Sequence, residues 1–283
     1  MHTRCLIVAA AVAVACVRPA AAQQRPLVTE DPEPIGTGRV LIEDGLDYSK
    51  DQTYPVSGLA GNLWRVPTVG ISVGLSPIAE IQIDGGFYNH LAIKSRNNAA
   101  PLAPALTVVG NNTHDVEDIV IGTKIRLISE GAGRPALGIR FATKLPNASN
   151  ESGLGTDTTD FLASMLVAKT VQSVRVVGNF GVGILADPTR GDRQNDVLTY
   201  GLSFARAVTQ RAEFVGEVNG RRSTRSGDPF PGTESRGLLK FGTRYTVGSF
   251  RLDGALFVGL TSIDPTIGFT TGFTYVFNAF TLP

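Results

Sequence analysis

The sequence predicts an all-β protein: a single antiparallel transmembrane β-barrel of about 12 strands, with short periplasmic turns and longer external loops. Three observations predict it. Apolar and polar residues alternate with a period of two from residue 39 onward, short and long connections alternate, and the chain opens with an export signal. The 283 residues are 42% hydrophobic and 18% charged, which excludes disorder, and the formal charge of +1 gives no bias toward nucleic acid.

Residues Met1 to Ala22 carry an early Arg4, an apolar run from Cys5 to Val17 and Ala20-Ala21-Ala22 before Gln23, the layout of a cleavable secretory signal. The run is too short for a helix spanning a hydrocarbon core of about 30 Å, which takes roughly 20 residues. A lipoprotein signal at Cys16 is the rival reading, but Ala13-Val14-Ala15 lacks a leucine-like residue three positions before the cysteine. Both cysteines fall inside the signal, so the mature chain has no disulfide, thiolate metal site or cysteine nucleophile. The division expected is residues 1–22 as signal, 23–38 as a periplasmic N-terminal segment and 39–283 as barrel.

The first strands are expected at 39–48, 63–75, 79–91, 118–128, 136–145 and 158–170. Ile81, Ile83 and Phe87 against Glu80, Gln82 and Asp84 show the alternation, as do Leu137, Ile139 and Phe141 against Arg140 and Lys144. Six more follow at 174–185, 197–208, 212–223, 235–247, 250–260 and 267–280. Short turns fall at 76–77, 130–134, 171–173, 209–211 and 248–249. Longer polar or Pro/Gly-rich loops fall at 49–62, 92–117, 146–157, 186–196, 224–234 and 261–266. An even strand count puts both termini on the short-turn, periplasmic side.

One face of these strands collects Phe141, Phe180, Leu202, Phe241, Leu256 and Phe273; the other collects Glu80, Asp84, Lys124, Arg140, Glu217 and Arg251. A soluble sandwich shares that alternation. The charges per strand, the export signal, the even count and the turn asymmetry favour lipid outside and a watery lumen. Expected partners are therefore outer-membrane lipid, the barrel assembly machinery and small solutes, with no nucleic acid, and the expected location is the bacterial outer membrane.

The closing run Thr270 to Phe277 resembles the terminal signal of bacterial outer-membrane barrels, with Gly272, Tyr275 and Phe277 at its marked positions, although the chain continues to Pro283. Further segments resemble the MetA-pathway of phenol degradation family, a group of predicted outer-membrane transporter-like barrels. They are Thr29-Glu30-Asp31-Pro32, Asp118 to Lys124, Lys144-Leu145-Pro146, Gly153 to Asp157, and Gly259-Leu260-Thr261 with Gly272 to Tyr275. The resemblance implies an outer-membrane barrel with an uptake role and carries over no substrate-binding residue.

Enzyme chemistry is not expected, and no catalytic residue, cofactor or metal site is assigned. A barrel hydrolase needs a serine and a histidine meeting on neighbouring strands, whereas Ser164 lies two strands past His114 and His90 is the other histidine after the signal. His114, Asp115, Glu117 and Asp118 form a possible divalent-cation cluster, set against the plainer reading of solvated loop acids.

The most informative constellation is basic. Lys124, Arg126, Arg140 and Lys144 fall on one face of adjacent strands, with Arg175 near them, and are the candidates for lumen selectivity, biasing a pore toward anions. A salt-bridged plug with Glu80, Asp84 and Asp118 is the alternative. Glu213 and Glu217 are expected to pair with Lys240 and Arg244 on the next strand. The function expected is a passive channel for small solutes, with aromatic and anionic solutes as candidate classes. The competing reading is a closed structural or adhesive barrel acting through its external loops.

Overall fold

A computed structural model describes residues 25–281; the signal expected over 1–22 lies outside them. Twelve antiparallel strands make the wall. They are β1 (Arg39–Tyr54), β2 (Leu59–Gly74), β3 in two pieces (Ala79–Gly86 and Asn89–Arg96) and β4 in two pieces (Asn112–Asp115 and Val120–Ile128). Then come β5 (Ala136–Lys144), β6 (Asp160–Val171), β7 (Val174–Ala186), β8 (Gln194–Ala207), β9 (Ala212–Ser223), β10 (Arg236–Val247), β11 (Phe250–Gly259) and β12 (Ile267–Asn278). Each pairs with the next, and β1 pairs with β12 from Arg39↔Asn278 to Lys50↔Ile267, so the sheet closes without an edge. Closure satisfies every ladder group inside the wall, as a spanning sheet requires. Among the described residues the only helical element is a single 3₁₀ turn, Ala103–Ala105.

The polarity of the wall is inverted relative to a water-soluble barrel. On β11, Arg251 and Asp253 are 2% and 7% exposed while Leu252 and Leu256 are 51% and 63% exposed. Phe141, Phe180, Leu202 and Phe241 are likewise exposed, and that outward apolar band is what lipid covers. Aromatic groups gather at both ends of the band. Tyr48, Trp64 and Phe269 meet at 4.7 to 5.9 Å toward the long-loop end, while Phe250 with Phe273 (5.4 Å) and Tyr275 with Phe277 (5.5 Å) sit toward the other.

Two connections differ from expectation. Residues 49–62 are not a loop: β1 and β2 continue through them and turn at 55–58, where Gly58 takes φ +75°. Their polar residues include the exposed Lys50 and the half-exposed Asp51, which pairs with Lys94 at 2.6 Å, and a bulge between Ser49 and Gln52, with Asp51 at φ 58°, absorbs the register slip. Residues 92–117 shrink to a loop of 97–111, because β3 runs on to Arg96 and β4 begins at Asn112. Inward Leu59, Leu63, Leu91 and Ile93 then pack with Tyr54, Leu106 and Leu154 into a small apolar core at the long-loop end. Ser57 Oγ donating to the Gly153 carbonyl (2.8 Å) and Thr113 Oγ1 donating to that of Ser152 (2.7 Å) draw the loop 145–159 inward.

Candidate functional site in the lumen

Residues 25–35, within the segment expected to be periplasmic, run through the barrel interior. Arg25 donates to Thr68 on β2 (3.0 Å) and Thr270 on β12 (3.0 Å), Asp31 pairs with Arg175 on β7, and Ile35 N–H donates to Glu80 on β3 (2.6 Å). A segment that bonds to walls on every side lies across the lumen. It is irregular, with prolines at 26, 32 and 34, so its backbone groups need partners from the wall. Glu217 accepts from Val28 N–H (3.0 Å), Thr29 N–H (2.9 Å) and Thr29 Oγ1 (2.8 Å). Lys240 Nζ donates to the Pro26 carbonyl (2.7 Å), and Asn179 exchanges two bonds with the Glu30 backbone (2.7 and 2.8 Å).

The basic stripe is where the segment's acids land. Lys124 is fully buried and lies 3.3 Å from Glu30 and 3.0 Å from Glu80. Arg140 lies 3.1 Å from Glu30 and 3.5 Å from Asp84. Arg126 pairs with Glu33, and Arg175 grips Asp31 through Nε and Nη2 (2.6 Å each) and Glu130 through Nη1 (2.6 Å). Lys144 pairs with Asp118 (2.8 Å) and Asp160 (3.2 Å). Each of the five cations has a carboxylate partner: Glu80, Asp84 and Asp118 pair with Lys124, Arg140 and Lys144, as the salt-bridged alternative has them, and Glu30, Asp31 and Glu33 add partners for Lys124, Arg140, Arg175 and Arg126. Isolated charge in a low-dielectric interior costs several kcal/mol per ion, about as much as a pair recovers only with good hydrogen bonds. Gln82 supplies such bonds, donating to Glu30 (3.2 Å) and Glu80 (3.0 Å) and accepting from Arg140 (2.7 Å). In the turn after β4, burial pushes the Glu130 carboxyl up, but the Thr170 N–H, Arg175 and Lys169 outweigh it and hold the group below the ordinary range.

On the opposite wall Glu217 faces Lys240 in register at 3.3 Å, and Glu213 faces Arg244 at 3.7 Å. These residues also hold the segment, since Arg244 Nε donates to the Arg25 carbonyl (2.9 Å). In the sequence Thr29-Glu30-Asp31-Pro32 stands only as a resemblance motif, and the acidic run Glu30-Asp31-Pro32-Glu33 is not paired with the stripe there, although charge complementarity was the available signal.

Other sequence candidates come apart. His90 and His114 face each other across the two upper pieces of β3 and β4, beside Tyr88 and away from buried Leu91, whereas Ser164 points into the lumen. Serine and histidine therefore occupy opposite sides of the wall. In the proposed cation cluster Glu117 is paired with Arg65 (2.7 Å), Asp118 with Lys144, and Asp115 accepts from Ser149 N–H (2.8 Å). Among the described residues no group of three or more potential ligands is assembled to hold a metal. Gly272, Tyr275 and Phe277 lie on β12 as it pairs with β1 to close the barrel.

Beside the segment the lumen keeps a cavity of about 900 Å³, lined by Tyr54, Leu63, Arg65, Lys144, Arg221 and Arg236 among others. The architecture is shared with solved outer-membrane proteins. The COG4313 outer membrane channel from Pseudomonas putida F1 is similar with a TM-score of 0.61 at 11% identity, over 87% of this chain and 98% of that one. The NanC porin is similar with a TM-score of 0.53 at 9% identity, over 83% of this chain and 98% of that one. No family model and no curated protein matches the chain. The protein thus has the fold of the bacterial outer-membrane β-barrels.

Proposed function

We propose that this protein is a passive outer-membrane channel for small solutes, with residues 25–35 as an internal constriction. The observation that carries the reading is a polar, charge-lined lumen that retains a cavity of about 900 Å³ around the segment. A barrel with a merely structural role has no need of such space. The motifs resembling the MetA-pathway of phenol degradation family support an uptake role, and aromatic and anionic solutes are the classes proposed.

Lys124, Arg126, Arg140, Lys144 and Arg175 are proposed to set selectivity in a way that depends on the segment. While it is seated, Glu30, Asp31 and Glu33 offset the stripe; when it withdraws, the stripe faces the pore. The closing strand with Gly272, Tyr275 and Phe277 is proposed to engage the barrel assembly machinery.

The competing reading is a closed structural barrel working through its external loops, and the ion-paired segment across the lumen is what favours it. Planar-bilayer conductance of the refolded mature protein in a salt gradient separates the two. Discrete ion-selective steps support the channel; inserted but silent protein supports the structural barrel. A Lys124→Glu, Arg140→Glu double variant should shift the reversal potential toward cations, and an unchanged anion-to-cation ratio removes the stripe from the selectivity argument.

A further inference from the structure

We infer that Arg221 and Arg236 form a binding site for the carboxylate of a small organic anion with an apolar body, in the lumen cavity. This rests on the channel reading and names its substrate class. The two arginines are directly paired in register across β9 and β10, on the lumen face that also carries Glu217 and Lys240. Like charges placed opposite one another on neighbouring strands repel, so the arrangement disfavours the empty barrel. An anion between them turns that repulsion into attraction.

Their hydrogen bonding leaves donors over. Arg221 donates Nε to the Glu234 carbonyl (2.9 Å) and Nη2 to that of Gly232 (2.7 Å). Arg236 donates Nη2 to the Thr53 carbonyl (3.1 Å) and reaches the Ile263 carbonyl through Nη1 (3.4 Å). These neutral acceptors orient the guanidinium planes without cancelling their charge. Glu234, Asp160 and Asp264 are the acids around the pair, but among the described residues none reaches Arg221 within 4 Å, and Asp264 Oδ1 stands 3.9 Å from Arg236, beyond hydrogen-bond reach. Asp264 is already committed: its Oδ2 accepts from Gly237 N–H (2.9 Å), Thr261 N–H (3.1 Å) and Thr261 Oγ1 (2.7 Å). Glu234 turns Oε1 onto the Gly232 N–H (3.0 Å). Unlike the stripe cations, neither arginine has a carboxylate within hydrogen-bond distance, and both line the cavity.

The rest of the ligand follows from the walls. The cavity that Arg221 and Arg236 line is also lined by Tyr54, Leu63, Leu238 and Phe257, and Leu238 follows Arg236 on the same face of β10. Planar guanidinium forks take a carboxylate in two parallel bonds, and the leucines and rings accept a hydrocarbon body. A fully hydrated inorganic anion would leave those walls unused.

The test is isothermal titration of the refolded mature protein with benzoate, and with benzyl alcohol as a neutral match of similar shape. The expected result is saturable benzoate binding that weakens at least tenfold in Arg221→Gln and in Arg236→Gln, with partial recovery in Arg236→Lys and little binding of benzyl alcohol. Arg222→Gln, one residue along and on the outer face, is the control for folding and should bind as the wild type does. Equal binding of benzoate by the wild type and both glutamine variants, or no binding by the wild type, overturns the site. Equal binding of benzoate and benzyl alcohol overturns the carboxylate assignment. Liposome swelling in parallel separates the two readings: swelling without benzoate binding leaves the channel and removes the site, and binding without swelling does the reverse.

Discussion

Glu30→Gln is the substitution that most directly probes the seated segment. The carboxylate is 6% exposed, stands 3.3 Å from Lys124 Nζ and 3.1 Å from Arg140 Nε, and accepts from Gln82. Removing one partner of a buried pair costs about 3–5 kcal/mol when the other charge is stranded. Here Lys124 keeps Glu80 at 3.0 Å and Arg140 keeps Asp84 at 3.5 Å, which argues for the low end, about 3 kcal/mol. The loss falls on the segment's attachment, because the strands on either side retain their ladders. At 1.4 kcal/mol per decade, that is roughly a hundredfold shift from seated toward withdrawn. Single-channel recording should then show larger or longer-lived conductance steps than the wild type, and limited proteolysis should cut within 25–35 faster. Heat-modifiable migration on a gel reports whether the barrel itself has stayed folded. Wild-type conductance together with wild-type proteolysis, in a barrel that has folded, would falsify the claim that these ion pairs hold the constriction.

Further outcomes follow from the same geometry. Leu202 is exposed midway along β8, so Leu202→Arg should lower stability in lipid vesicles by about 2–4 kcal/mol, read from the urea midpoint; a change near zero would contradict lipid contact there. Gly153 sits at φ +77°, and an added Cβ would meet Leu59 Cδ1 at 2.5 Å, so Gly153→Ala should cost more than the roughly 1–2 kcal/mol of the left-handed backbone alone and lower the thermal midpoint. In the external loop 187–193, burial pushes the Asp187 carboxyl up, but the Thr189 hydroxyl and N–H and Arg193 outweigh it and hold the group below its ordinary range. A depressed carboxylate stabilises above its unfolded pKa of about 3.9 and stops doing so as pH falls through its lower folded value. Pepsin should therefore leave that loop intact at pH 4 and cut it progressively below, whereas Asp187→Asn should be cut with little pH dependence.

The strand pattern was legible because each strand alternates on its own, without reference to its partners: Leu252 and Leu256 against Arg251 and Asp253 carry the assignment within one β11. The first long-side connection was not. Residues 49–62 carry exposed or half-exposed polar groups such as Lys50 and Asp51 where the strands run out to their turn, and polar composition is also what a loop shows. The lumen charges divide along the same line. Glu217 and Lys240 sit on consecutive strands, so a hairpin register alone brings them together. Glu30 and Lys124 are separated by 94 residues, Asp31 and Arg175 by 144, and Thr29 and Glu217 by 188, and no local rule spans such distances. A non-local rule does. Lys124 and Arg140 lie side by side on adjacent strands, Lys124 fully buried, so acids beyond Glu80 and Asp84 stabilise them, and Arg126 and Arg175 also find partners. The further acids come from a piece of chain that is not wall. The segment before β1 carries Glu30, Asp31 and Glu33, lies on the side of the barrel where the short turns are, and has prolines that keep it out of the sheet. Charge complementarity to the buried cations therefore accounts for that segment's place in the lumen, a signal found by asking where those cations find their counterions.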